Sequence, residues 1–153
     1  MLRVVLAALH LLALAIGLQA VLQRAQWLTK PLTGDVVKRV LHADSEWGLA
    51  ALLWIATGLW RYLGSIEKGS LYYEHNAFFL IKMALLAVIL LLEIRPMITL
   101  IKWRIALGRG TAPESLPGVG AVRSLARISA IQGVLIVIMV FLAVAMARGY
   151  GMR

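Results

Sequence analysis

Tyr72–Pro96, YYEHNAFFLIKMALLAVILLLEIRP, reads as a membrane-crossing helix that carries charge. From Ala77 to Leu92 nearly every residue is apolar, yet Lys82 lies inside the run and Glu93, Arg95 and Pro96 close it. A charged side chain at bilayer depth costs about 2.5–3.5 kcal/mol on insertion scales, so it needs an aqueous edge, a partner or a chemical role.

The rest of the chain repeats this pattern. Of its 153 residues 61% are hydrophobic and the mean hydropathy is +0.85, against about 45–50% apolar residues in a soluble domain. Four apolar runs are separated by nearly all of the charges, which predicts an all-α integral membrane protein, an antiparallel bundle of four transmembrane helices in one domain. The expected helices cover about 2–22, 36–63, 77–101 and 121–147. The net charge is +9, with 16 Lys and Arg against 7 acids. These bases stand mostly at the ends of apolar runs, where they meet lipid headgroups, and form no aromatic-interleaved face, so nucleic acid is excluded as a partner. With no cysteine, disulfides, thiolate nucleophiles and Cys-bound metals are excluded as well.

Leu2–Leu22 is long enough to cross the hydrocarbon core, and Leu18 is too large for a signal-peptide cleavage site ending at Ala20. It holds His10, with Gly17 on nearly the same face to admit a neighbouring helix. Arg24, Trp27 and Lys30 read as interfacial residues, and Pro31–Asp35 breaks the chain and supplies a cap for the next helix. On that helix Asp44, Gly48, Ala51, Ile55 and Gly58 form a small-residue face suited to close packing. Helix three is expected to kink at Pro96, with Lys102, Trp103 and Arg104 as the next anchors. Gly108–Gly120 reads as an exposed connection. Lys and Arg are more numerous in the loops after helices one and three, which places those loops in the cytoplasm and both termini outside.

Depth can be compared along alternating helices. His10 and Lys82 both fall roughly 8–12 Å inside the terminus-side surface at 1.5 Å per residue, with Arg61, Tyr72, Tyr73, His75 and Asn76 at or just above that plane. A second polar group, His42, Asp44, Glu46, Glu93, Arg95 and Gln132, gathers toward the other side, where Asp44 and Arg95 are expected to form a structural ion pair. Lys82 can also be read as snorkelling to the headgroups, and His10 as a neutral ring bonded within the bundle. Read together, they flank one object. Neutral imidazole suits an axial position on haem iron, and Lys82, Arg61, Tyr73 and Asn76 suit the propionates. A quinone headgroup would fit the same geometry. Copper is a further candidate, although Met83, Met97, Met139 and Met146 show no Met-x-x-Met spacing.

The chain resembles a family of bacterial four-helix membrane proteins classed as a domain of unknown function, within the wider HemJ and CopD-like group. The resemblance rests on His10, Ala43-Asp44-Ser45-Glu46-Trp47-Gly48, Gly58–Arg61, Tyr72-Tyr73 with Asn76, Phe79-Leu80-Ile81-Lys82 and Met146–Gly151. HemJ-like proteins oxidise protoporphyrinogen and bind haem b, with a histidine early in helix one and Trp-x-x-Lys in helix three. Here His10 matches the first, and Phe79 to Lys82 the second with phenylalanine for tryptophan. The resemblance implies a haem b or porphyrin site with His10 as metal ligand, in redox or tetrapyrrole handling. Two further readings stand beside it: a non-enzymatic subunit of a homo-oligomer or larger membrane complex, and a copper permease-like protein.

Overall fold

A computed structural model describes residues 1–64 and 75–151. Tyr72 and Tyr73 lie outside these described residues. The described residues form four long helices, α1 (Leu2–Trp27), α2 (Gly34–Leu63), α3 (Ala77–Gly108) and α4 (Val122–Ala147), with two short 3-10 turns at Pro113–Ser115 and Val119–Ala121 before α4.

Local chemistry fixes the ends. Thr33 caps α2, its hydroxyl accepting from the Val36 amide at 3.3 Å, with Asp35 in the first turn to complement the positive end of the helix. Asn76 caps α3: its side-chain oxygen accepts from the Phe78 and Phe79 amides at 3.0 and 3.3 Å. The Asn76 Nδ2 donates to the Tyr150 carbonyl at 3.0 Å, and the Ala77 amide donates to the Gly151 carbonyl at 2.7 Å, so the C-terminal segment is tied to the start of α3. Helix α3 continues through Pro96, which is buried, and ends seven residues beyond the expected boundary of 101.

Helix α1 is the spine. It packs along α2 on one side and α4 on the other, and α3 packs on α4, whereas α2 and α3 meet only sparsely. Gly17 lets α1 and α2 approach closely: a Cβ there would sit 3.2 Å from the Trp47 ring. The inward face of α2 is Val37, Val40, Ala43, Trp47, Ala50, Trp54 and Thr57. The small-residue face expected from Asp44 to Gly58 is therefore offset: Gly48 is exposed with nothing within 4 Å of its would-be Cβ. The two indoles are the reason, because Trp47 fills the space over Gly17 and Trp54 reaches His10.

Two apolar clusters result. Ala13, Ala20, Val21, Trp47, Trp54, Ile89, Ile136 and Met139 form the middle of the bundle. Leu28, Val37, Val40, Leu100, Trp103, Leu116, Leu125 and Ala126 form the loop end. Trp103, expected at the membrane surface, is fully buried, and its Nε1 donates to the Pro117 carbonyl at 2.8 Å. That bond and buried Leu116 draw the Gly108–Gly120 connection onto the core, although most of its residues stay exposed.

Outside, large apolar side chains face outward along the helices, among them Leu52, Leu91, Val134 and Phe141. A surface of this kind suits lipid and not water. Helices α1, α3 and α4 are long and apolar enough to cross a membrane. Helix α2 is as long, but its charge-free stretch runs only from Trp47 to Trp60, roughly 21 Å at 1.5 Å per residue against a hydrocarbon core of about 30 Å.

Candidate functional site

Toward the terminus side the four helices line a partly open cavity of about 960 Å³. All four contribute: Arg3, His10 and Leu14 from α1, Trp54, Gly58 and Arg61 from α2, Phe79, Lys82 and Leu86 from α3, Met139 and Ala143 from α4. Residues that the sequence places at one depth, His10, Arg61 and Lys82, thus line one space. Its walls are otherwise mostly aliphatic, aromatic and methionine side chains, with Arg3 as a third cation.

His10 is held at both ring nitrogens. The Trp54 indole Nε1–H donates to His10 Nε2 at 3.0 Å. His10 Nδ1 lies 3.0 Å from the Thr57 hydroxyl, which itself donates to the Leu53 carbonyl at 2.7 Å. A hydroxyl whose proton is given to a carbonyl can only accept from the imidazole, so the ring is neutral with its proton on Nδ1. Its remaining lone pair, on Nε2, is capped by the indole. Gly58 completes the seat, since a Cβ there would meet His10 Cε1 at 3.1 Å. Gly58→Ala is expected to cost about 1–3 kcal/mol of stability, because a ring fixed by two hydrogen bonds cannot give way; thermal unfolding in detergent, compared with Gly48→Ala, checks this.

At the other end of the bundle lies a second polar centre, built on Arg24. Its side chain is fully buried, and all five guanidinium N–H groups are used. Nε donates to Ser129 at 3.0 Å, one terminal nitrogen to Asp44 at 2.9 Å and Glu93 at 2.7 Å, and the other to Glu93 at 2.7 Å and Gln132 at 2.9 Å. Gln132 Nε2 in turn donates to Glu93 at 2.8 Å and to the Ile89 carbonyl at 3.2 Å. Arg104 closes the set from α3, donating to the second Asp44 oxygen at 2.7 Å, to Ser45 at 3.1 Å and to the Leu41 carbonyl at 3.0 Å. Two arginines and two carboxylates give a formal charge of zero. That neutrality lets four charges sit among apolar helices.

The family described as "Predicted membrane protein (DUF2214)" matches residues 2–151. The chain belongs to that family. No curated protein and no solved structure matches it. DUF2214 membership accords with the lipid-facing surface of the bundle.

In this DUF2214 chain the Asp44–Arg95 pair expected from sequence is corrected. Both Asp44 oxygens are taken by Arg24 and Arg104, while Arg95 is exposed on α3. Asp44, Glu93 and Gln132 do share a centre, but His42 is exposed and pairs with Glu46 one turn on, at 3.2 Å. Asn76, expected among cofactor-binding residues, has its oxygen and nitrogen engaged in the cap of α3 and the C-terminal segment. Arg3, Trp54, Thr57, Arg24, Arg104 and Ser129 are the participants that sequence reasoning passed over. Among the described residues no three His or carboxylate side chains cluster as a metal site.

Proposed function

We propose that the protein binds, in the terminus-side cavity, a large apolar molecule bearing one or more anionic groups, and that a porphyrin is the ligand class. The convergence of His10, Arg61 and Lys82 on one cavity carries this reading. Small-molecule pockets run to about 300–1,000 Å³ and combine apolar walls with a few polar groups. The cavity of about 960 Å³ is at the upper end of that range and carries three cations. The aliphatic and aromatic walls suit the body of a tetrapyrrole such as haem b, and Arg3, Arg61 and Lys82 suit its carboxylates.

The fit does not extend to iron. His10 has the tautomer that a metal ligand needs, but its lone pair accepts the Trp54 indole proton. Coordination would require that bond to break. The reading is therefore one of tetrapyrrole binding and handling by this chain's walls and cations. The excess of Lys and Arg after α1 and α3 supports periplasmic termini in a bacterial inner membrane, which puts the cavity in the outer half of the bilayer.

The test is the visible spectrum of the detergent-purified protein before and after added protoporphyrin or haem, with and without dithionite. A bound porphyrin band that weakens in Lys82→Met and persists in His10→Ala is expected. A colourless protein that takes up neither compound overturns the proposal, and a reducible haem band lost only in His10→Ala restores iron ligation. One observation favours a second reading. Met83, Met139 and Met146, which show no motif in sequence, all line the cavity with His10, and thioethers are soft ligands suited to Cu(I). Metal analysis after Cu(I) loading, with Met139→Leu as comparison, separates it from the first.

A further inference from the structure

We propose that the outer face of α3 at the loop end binds one anionic phospholipid, its phosphate lying against Lys102 and Arg109 and an acyl chain following Ile98, Ile94 and Leu91. The site is separate from the terminus-side cavity and stands or falls independently of what that cavity binds.

Of the three anchors that the sequence places near the end of α3, Trp103 is buried and Arg104 is committed to Asp44 and Ser45. Lys102 is exposed, and so are Arg95 and Arg109, which stand one heptad before and after it. A straight helix drifts only about 20° per heptad, so the three cations share one face. Glu93, the one carboxylate on α3, is turned away into the Arg24 centre. Among the described residues no carboxylate pairs with Arg95, Lys102 or Arg109. The face is therefore positive and uncompensated.

It is also shaped. Beyond Arg109 the chain folds back on α3: the Thr111 amide donates to the Ala106 carbonyl at 3.1 Å, the Trp103 Nε1 donates to the Pro117 carbonyl at 2.8 Å, and a Cβ on Gly118 would lie 3.7 Å from Thr99. Between the helix and this returning loop is a recess of about 270 Å³, lined by Lys102, Ile105, Ala106, Arg109, Thr111 and Pro117. At about 30 Å³ per water in the liquid, it has room for a phosphate group and part of its hydration. The two cations supply charge-assisted donors and Thr111 a hydroxyl.

Depth selects a lipid over a soluble anion. Lys102 lies 25 residues beyond Ala77, the first residue of α3. At 1.5 Å per residue and a tilt of up to about 20° that is roughly 35–37 Å, past a hydrocarbon core of about 30 Å and into the far headgroup layer. Toward the membrane the same side of α3 continues through Ile98, Ile94 and Leu91, all exposed and none lining the terminus-side cavity. One molecule with a phosphate above and an acyl chain below satisfies both halves of this stripe.

Native mass spectrometry of the delipidated protein in neutral detergent, titrated with phosphatidylglycerol, is expected to show one retained lipid per chain, with the melting temperature rising as it binds. Lys102→Gln/Arg109→Gln is expected to weaken retention by about tenfold or more and to abolish that rise. Arg123→Gln/Arg127→Gln removes the same charge from exposed positions on α4 and should leave both within about twofold of the parent. Ile94→Ser/Ile98→Ser should weaken retention by about threefold or more through the acyl chain alone. Inorganic phosphate in excess over the lipid should displace none of it. Equal weakening by the two charge variants overturns the proposal in favour of a diffuse basic surface. Displacement by inorganic phosphate, with the isoleucine variant unchanged, overturns the lipid assignment in favour of a free anion, and a parent protein that retains no phosphatidylglycerol overturns the site altogether.

Discussion

Arg24→Met is expected to remove most of the folded protein, lowering stability by about 3–5 kcal/mol, the range found when one partner of a buried ion pair is deleted. Folded proteins commonly hold only about 5–15 kcal/mol in total, so the loss shows as reduced membrane abundance and a large fall in melting temperature in detergent. The substitution keeps length and apolar volume but leaves Asp44 and Glu93 with Arg104 as the one cation still observed in the centre. Ser129 and Gln132 lose their arginine donor as well. Arg24→Lys should recover little, because an ammonium has three donors and cannot reproduce the forked contact with both Glu93 oxygens. Adding Glu93→Gln to Arg24→Met should restore part of the loss, since the remaining Asp44–Arg104 pair is again neutral. Arg95→Met, on an exposed position two residues along, is expected to change stability by no more than about 0.5 kcal/mol. Equal melting temperatures for Arg24→Met and Arg95→Met would refute the structural role given to Arg24.

That centre also shows what was legible in the sequence. Helices read from apolar runs stand where expected, because a long apolar segment has no other way to satisfy its backbone in lipid. Their ends are less legible: α1 runs on to Trp27 since Arg24, which resembles an interfacial anchor, turns inward. Sequence gives depth and not azimuth. Counted from the terminus side, Arg24, Asp44, Glu93, Ser129 and Gln132 lie roughly 15–22 residues deep, so the same levelling that aligns His10 with Lys82 could have gathered them. The signal was electrostatic: two carboxylates inside apolar surroundings require two cations at their level, and Arg95 is the nearest in sequence to Glu93 but on the outward face. The partners of His10 had no such signal. A tryptophan and a threonine one turn apart on α2 read as ordinary helix residues until the packing of Gly17 against Trp47 sets the rotation of α2 against α1.

The same distinction between scaffold and site gives the second large effect. Lys82→Met combined with Arg61→Met is expected to weaken porphyrin binding by about a hundredfold or more, on about 1.5–3 kcal/mol for each charged hydrogen bond lost. Abundance should change little, for neither residue belongs to the Arg24 centre and a methionine at the depth of Lys82 suits lipid better than an ammonium does. Snorkelling makes the opposite forecast for binding: if the ammonium of Lys82 only reaches headgroups, Lys82→Met leaves affinity untouched. Salt adds a further discriminant. Anion capture by exposed headgroup-level cations weakens as ionic strength rises, whereas pairs inside an apolar cavity are screened much less. Porphyrin titrations of the parent and of both single variants at low and high salt therefore place the cations. A hundredfold loss that is nearly salt-independent puts Arg61 and Lys82 on the ligand, and a loss that disappears in high salt returns them to the membrane surface.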